Sequence, residues 1–228
     1  MDSLPTVLAL LAGYLVGSLS FAVITSRVMG LPDPRSYGSG NPGATNVLRS
    51  GSKPAALMTL VLDALKGYVP VLLVLIYGPR WGLGESTAAF VGLAAFLGHL
   101  YPVFFRFKGG KGVATAVGVL VAINPGLAAA TFLSFGIVLA FSRYVSLAAV
   151  VAAAFAPFYQ ALIWGVEPAL LAIGVMSLLL VWRHEGNLRR IIAGHENKFG
   201  QKPAAPLGAL PRHDKPHARH GPPRKHRK

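Results

Sequence analysis

Long apolar stretches separated by short polar ones run along most of this chain. Ser3 to Ser26 carries no charge over 24 residues, enough to cross ~30 Å of hydrocarbon at ~1.5 Å per helical residue. Pro54 to Gly78 is interrupted only by Asp63 and Lys66, and Ser86 to Phe105 by no charge at all. Val113 to Phe141 is apolar throughout but contains Asn124-Pro125-Gly126, a turn signature that predicts a break. Tyr144 to Val166 and a shorter stretch from Pro168 to Trp182 complete the set. The first stretch lacks the basic start and small-residue cleavage site of a secretory signal, so it reads as a retained helix.

Charge decides whether 113–141 crosses once or twice, because Lys and Arg collect on the cytoplasmic side of a membrane. With seven crossings, the segments after the first, third, fifth and seventh helices share a side. They hold Arg27, Arg35, Arg49, Lys53, Arg106, Lys108, Lys111, Arg143 and every basic residue from Arg183 onward, 20 of the 22 Lys and Arg. Arg80 alone lies on the opposite side, and Lys66 falls inside a helix. Six crossings would split the basic loops between the two faces. The expected fold is therefore an all-α polytopic membrane protein with seven transmembrane helices, its N-terminus outside and its C-terminus cytoplasmic.

Composition supports lipid as the solvent. Hydrophobic residues make up 53% and charged residues 13%, against ~25% charged in soluble domains, and the mean hydropathy is +0.52. The net charge of +14 would suggest nucleic acid in a soluble protein, but the long uncharged runs exclude that reading. Half of this charge lies in residues 201–228, with eight Lys and Arg, six prolines, four histidines and one acid, Asp214. Such a segment has little to bury, and we expect a disordered cytoplasmic tail following a membrane domain over 1–200. With no cysteine, disulfides, zinc–thiolate sites and iron–sulfur clusters are excluded.

The same charge parity puts four polar segments on the cytoplasmic face. Gly38 to Arg49 is rich in glycine and ends in a cation; Lys108-Gly109-Gly110-Lys111-Gly112 leads directly into an apolar helix. Ser142-Arg143-Tyr144 and Arg183-His184-Glu185-Gly186-Asn187 are the others. Glycine lets backbone N–H groups turn toward an anion, and a helix N-terminus favours phosphate. Gly38, Gly40 and Gly43 match G-x-G-x-x-G, but no strand precedes them, so a dinucleotide fold is not indicated. Lys108 to Gly112 lacks the spacing and the Ser or Thr of a nucleotide-binding P-loop. Together the loops describe a phosphate-binding surface at the membrane–water boundary.

His184 and Asn187 stand three apart, on one face of a helix extending the last span. A histidine there can move a proton near neutral pH or simply anchor a helix end at the interface, and the pattern alone leaves both open. No second histidine stands four residues away, so no metal site is expected. Asp63 and Lys66, also three apart, read as a mutually neutralising pair inside a helix, and His99 as a satisfied structural residue.

Five stretches, GSGNPGATNVLR (38–49), LDALKG (62–67), GHLYPVFFRFKGGKGVATAVGV (98–119), SRYVSL (142–147) and RHEGNLRRIIAGHENK (183–198), together resemble the bacterial acyl-phosphate:glycerol-3-phosphate acyltransferases. The resemblance extends over residues 5–198 and leaves out the tail. It implies a multi-pass enzyme of the bacterial inner membrane, active on the cytoplasmic face, that acylates glycerol 3-phosphate from an acyl phosphate to give lysophosphatidic acid. It also implies no cofactor, no metal and no nucleic acid, with membrane lipid as surroundings; the sequence does not set the oligomeric state, and a monomer is the expected form. By motif, Ser39, Arg49 and a lysine of the Lys108–Gly110–Lys111 loop would hold phosphate, with Lys111 favoured over Lys108. Asn41, Thr45 and Asn46 would shape the first loop, Ser142 and Arg143 would line the site, and Glu196 would match the family's G-x-E. His184 and Asn187 would be catalytic. A transporter of phosphorylated metabolites is the competing class, but its site would lie midway through the bilayer, whereas these loops share one face.

Overall fold

The computed structural model describes residues 3–201 and is built from helices, with no strand among the described residues. The expected tail lies outside the described residues apart from Gln201. Ten α-helices follow in order: α1 (Ser3–Gly17), α2 (Phe21–Val28), α3 (Ala44–Leu48), α4 (Lys53–Tyr77), α5 (Glu85–Leu100), α6 (Val113–Ile123), α7 (Pro125–Ser142), α8 (Val145–Tyr159), α9 (Pro168–Arg183) and α10 (Glu185–Ile192).

Local sequence sets most of these boundaries. At the start of α4 the Ser52 hydroxyl accepts the Ala55 N–H at 3.3 Å, and a proline occupies the first turn. Its 25 residues make a rod ~37 Å long, enough to span the bilayer. Between α6 and α7, Asn124 caps the next helix by accepting Leu127 N–H at 3.0 Å, and Pro125 opens that helix. The expected break within 113–141 is thus a cap. It leaves α6 with only 11 residues, ~16 Å, about half the hydrocarbon thickness.

Four segments are long and apolar enough to cross a membrane: 53–81, 85–105, 125–142 and 145–164. Two bent pairs raise the number to six, α1 with α2 at 43° and α9 with α10 at 48°. The unbroken first helix expected over 3–26 is in fact interrupted at Ser18–Ser20. Ser18 turns its hydroxyl back onto the Tyr14 carbonyl at 2.8 Å, and the break frees the Leu19 carbonyl, which accepts the Lys66 ammonium at 2.7 Å.

Lipid offers helices no hydrophobic drive to associate, so close packing of small residues takes its place. The α4–α6 contact uses Gly67 and Gly118, where an added Cβ would strike Thr115 O and Ala64 O. The α1–α5 contact uses Gly17 and Gly98 in the same way, against Ala95 O and Tyr14 O. Val71, Phe96, Leu100, Val119, Leu127 and Ile173 fill the interior. Phe132, Leu133, Phe141 and Leu178 lie on the outside, more than half exposed, as a lipid-facing surface requires.

Candidate active site

The polar loops converge at one end of the bundle. Between the first two loops, a Cβ on Gly110 would sit 2.9 Å from the Pro42 carbonyl. The second touches the end of α9, where Arg183 donates to Gly109 O at 3.0 Å and Gly110 O at 3.2 Å. Phe199 N–H donates to Arg143 O at 2.7 Å, joining the third loop to the segment after α10.

Asn46 organises the first loop. It is buried, donates to Pro34 O at 2.6 Å and Tyr37 O at 3.1 Å, and accepts from Ser39 N–H at 3.1 Å and an Arg49 guanidinium N–H at 3.2 Å. With partners inside the loop and in the segment leading into it, Asn46 fixes the loop's shape and the direction of Arg49. Ser39 is exposed and Asn41 half-buried; Thr45 lies at the mouth of an apolar cavity described below.

Lys111 and Lys108 separate cleanly. Lys108 points into solvent, whereas the half-buried Lys111 donates to Asn187 Oδ1. The Asn187 amide in turn donates to Glu196 Oε1, which also accepts from Ser146 at 3.0 Å, while Glu196 Oε2 takes Arg190 at 2.8 Å. Both ends of the Asn187 amide are therefore engaged, one by a cation and one by a carboxylate. Glu196 was expected among the substrate-binding residues. As an anion tied to three donors, it is poorly suited to phosphate and instead holds Asn187, Ser146 and Arg190 in place.

His184 is buried at the bend between α9 and α10, where its Nδ1 lies 2.8 Å from the Leu180 carbonyl. Donation to that carbonyl assigns the proton to Nδ1 and leaves the Nε2 lone pair free. Burial pulls the imidazole down to about 4; the Leu180 hydrogen bond opposes this and the Lys111 charge adds to it. His184 is thus neutral near pH 7. Burial also pulls Lys111 down to about 8, with Glu196 opposing and Arg190, Arg183 and Arg49 reinforcing. Burial works against the Glu196 charge, but hydrogen bonds from Asn187, Arg190 and Ser146 outweigh it and keep the carboxyl below its ordinary range. Four cations around one carboxylate make a surplus of positive charge that only an anionic ligand would balance.

Two expected residues sit apart from this cluster. Ser142 caps α7, donating to Val138 O at 2.7 Å and accepting Tyr144 N–H at 3.1 Å. Arg143, in the left-handed region at φ 61°, donates to Phe199 O at 3.0 Å. Instead of lining the cluster, Ser142 closes the end of α7, and Arg143 ties down the segment that carries Glu196. Sequence reasoning passed over Ser146, Arg183 and Arg190. Ser146 stands in an apolar run with its partner 50 residues away, so nothing local marks it; Arg183 and Arg190 were counted only as loop charge. Among the described residues, no three His, Asp or Glu side chains gather as metal ligands.

The Lys111 environment has a kinetic consequence. The ammonium is charged below about 8 and neutral above it, so kcat/KM for an anionic substrate is expected to fall as pH rises through that value. Lys111→Arg keeps its charge throughout the alkaline range, and should displace the fall upward even if overall activity drops. An alkaline limb unchanged in that variant would assign it to another group.

Beneath the cluster an apolar cavity of about 720 Å³ runs into the membrane domain. Thr45, Lys53 and Phe199 stand at its polar end; Leu120, Ala156 and Ile173 lie deeper. The site thus joins a cationic, hydrogen-bonded head to a lipid-like interior. Residues 7–194 match the family model for glycerol-3-phosphate acyltransferase. The glycerol-3-phosphate acyltransferase of Paraburkholderia phytofirmans is 61% identical over 198 residues, 87% of this chain and 92% of that one. The enzyme of the same name from Ralstonia nicotianae is 56% identical over 197 residues, 86% and 95% of the two chains. Crystal structures of PlsY, an integral membrane glycerol 3-phosphate acyltransferase, resemble the fold in two forms. The glycerol 3-phosphate form superposes with a TM-score of 0.80 at 38% identity, and the lysophosphatidic acid form with 0.78 at 37%; each comparison covers 86% of this chain and 96% of the other. With its motifs, its fold and nearly its whole described length in common with these enzymes, the chain belongs to the glycerol-3-phosphate acyltransferase family.

Proposed function

We propose that this acyltransferase takes a fatty acyl group from an acyl phosphate and delivers it to glycerol 3-phosphate, producing lysophosphatidic acid and phosphate on the cytoplasmic face of a bacterial inner membrane. The observation that carries the reading is the Lys111–Asn187–Glu196 network beside His184, set at the head of a long apolar cavity. Both substrates carry phosphate, which matches the surplus of cations. One carries an alkyl chain, which gains ~0.8 kcal/mol per methylene moved from water into an apolar space.

The chemistry then follows from the chain's own groups. Arg49 and Lys111 bind phosphate and bring the glycerol hydroxyl toward the acyl carbonyl, supplying the proximity that dominates such transfers. A new C–O bond forms from that hydroxyl to the carbonyl carbon. The C–O bond to phosphate then breaks, and its electron pair leaves with the phosphate. Because phosphate departs readily from an acyl anhydride, no covalent acyl-enzyme is required. The hydroxyl proton passes to the free Nε2 of His184 or to an oxygen of the substrate phosphate. In the empty site His184 is a weak base; a bound dianion next to Lys111 offsets the charge that helps to depress it, and so strengthens it as the reaction assembles. A direct transfer predicts that acyl phosphate is stable on the enzyme until glycerol 3-phosphate is added, and that phosphate and lysophosphatidic acid then appear in equal amounts. A burst of phosphate without acceptor would instead require an acyl-enzyme.

The reading includes a membrane domain of seven segments over 1–200 with an outside N-terminus, a cytoplasmic tail after it, and a monomer as the working unit. What supports the topology is the side of the basic loops: the first, second and fourth polar loops meet at one end of the bundle, the third is tied through Arg143 to Phe199 beyond α10, and Arg80 belongs to the turn after α4. A reporter fused after Lys228 is expected in the cytoplasm and one inserted near Gly84 outside. Both reporters on one side would contradict the seven-segment arrangement.

A further inference from the structure

One cluster of four buried polar side chains lies outside the proposed chemistry: Asp63 and Lys66 on α4, His99 on α5 and Thr115 on α6. Ionisable groups inside a membrane are costly, and they persist where they have partners or a task. Lys66 has its partners, with Asp63 Oδ1 at 2.7 Å and the Leu19 carbonyl at 2.7 Å. His99 is held on one side by Thr115 Oγ1, 3.2 Å from its Nδ1, with Asp63 Oδ1 behind it at 3.7 Å. These contacts fix the plane of the imidazole. Its other edge meets the Lys108–Gly112 loop.

The fit at that edge is close. Gly110 N–H donates to the His99 carbonyl at 3.1 Å. A Cβ on Gly109 would strike that same carbonyl, and a Cβ on Gly110 would strike His99 Nε2. From the opposite side, Arg183 holds the Gly109 and Gly110 carbonyls. Two adjacent glycines are needed here because Gly109 lies against the His99 and Leu100 carbonyls and Gly110 against the ring. Lys111 is the next residue, and its reach to Asn187 depends on where Gly110 sits.

We infer that His99 is a positioning residue for the phosphate loop: its imidazole, oriented by Thr115 and Asp63, is the floor on which Gly110 rests and from which Lys111 is aimed. The inference rests on the reading of Lys111 as a phosphate ligand. A small displacement of a substrate-holding group is enough to lose up to ~100-fold in rate, so the buried cluster would act on catalysis without touching substrate.

A four-way comparison of native enzyme, His99→Ala, Gly110→Ala and the double variant tests this, with KM and kcat read separately on properly inserted protein. Each single variant is expected to raise KM for glycerol 3-phosphate by at least ~10-fold with a smaller change in kcat. Because both changes displace the same loop, the double variant should be no worse than the more impaired single one. Multiplying penalties, or a native KM for His99→Ala, would overturn the inference. If His99→Ala fails to insert, Thr115→Val, which removes only the hydroxyl that orients the ring, should still raise KM by roughly 3- to 10-fold; an unchanged KM there also overturns it. Lys111→Ala separates the two claims. If that variant binds normally, the phosphate reading and the inference fall together. If it binds poorly while His99→Ala binds normally, only the inference falls.

Discussion

His184→Ala and Asn187→Ala are each expected to lower kcat by at least ~100-fold while leaving insertion into the membrane intact. Acid–base help alone is worth ~10²–10⁴, and loss of orientation adds to it. The two positions fail for different physical reasons. Removing the imidazole deletes the free Nε2 acceptor, which the Leu180 hydrogen bond holds in the useful tautomer. Removing the amide leaves Lys111 without its acceptor and Glu196 without one of its three donors, so the cation and carboxylate are left to close on each other. If the two side chains act as one unit on the attacking hydroxyl, the double variant should be little worse than either single one. Neither side chain contributes to the apolar core, so the loss should not follow the melting temperature. A His184→Ala enzyme with near-native kcat would make the substrate phosphate the sole base and remove His184 from the chemistry.

Lys111→Ala and Arg49→Ala should act mainly on binding. A charged hydrogen bond to phosphate is worth ~1.5–3 kcal/mol, so KM should rise roughly 10- to 100-fold. Lys111→Ala is expected to be the worse of the two, because it also frees Asn187 and so lowers kcat. Arg49→Lys should recover only part of the loss, since Arg49 leans on Asn46 through one N–H and presents the rest of a planar fork outward. Lys108→Ala, which removes an exposed side chain, should be close to native. Equal damage at Lys108 and Lys111 would mean that the loop works as a diffuse positive patch and not through one aimed ammonium.

Much of the fold was legible because apolar runs with capping signals leave little choice in lipid. The apolar run from Pro54 marks α4, and Asn124-Pro125 the α6–α7 break, and the helices fall there. The break at Ser18–Ser20 was not legible: the run around it stays uncharged, and the group that takes up its free carbonyl is a lysine 47 residues away. The length of α6 was visible in the sequence, but its close packing on α4 through Gly67 and Gly118 depends on backbone contacts that no pattern of hydrophobicity displays. In the site, glycine loops and the His184–Asn187 spacing stood out. The division of labour did not. Ser146 as the partner of Glu196, and Arg143 as a support for the chain near Phe199, depend on contacts between segments 50 or more residues apart.

The central claim is the choice of acyl donor, because the cationic head of the site fits a phosphate bound directly to the acyl group. The most direct measurement is product formation by purified protein from labelled glycerol 3-phosphate with each candidate donor in turn, all bearing the same acyl chain. Direct transfer from an acyl phosphate should give labelled lysophosphatidic acid with acyl phosphate and none above background with acyl-CoA or acyl carrier protein, and loss of the product signal in His184→Ala. Equal or faster product formation from a thioester donor would contradict it.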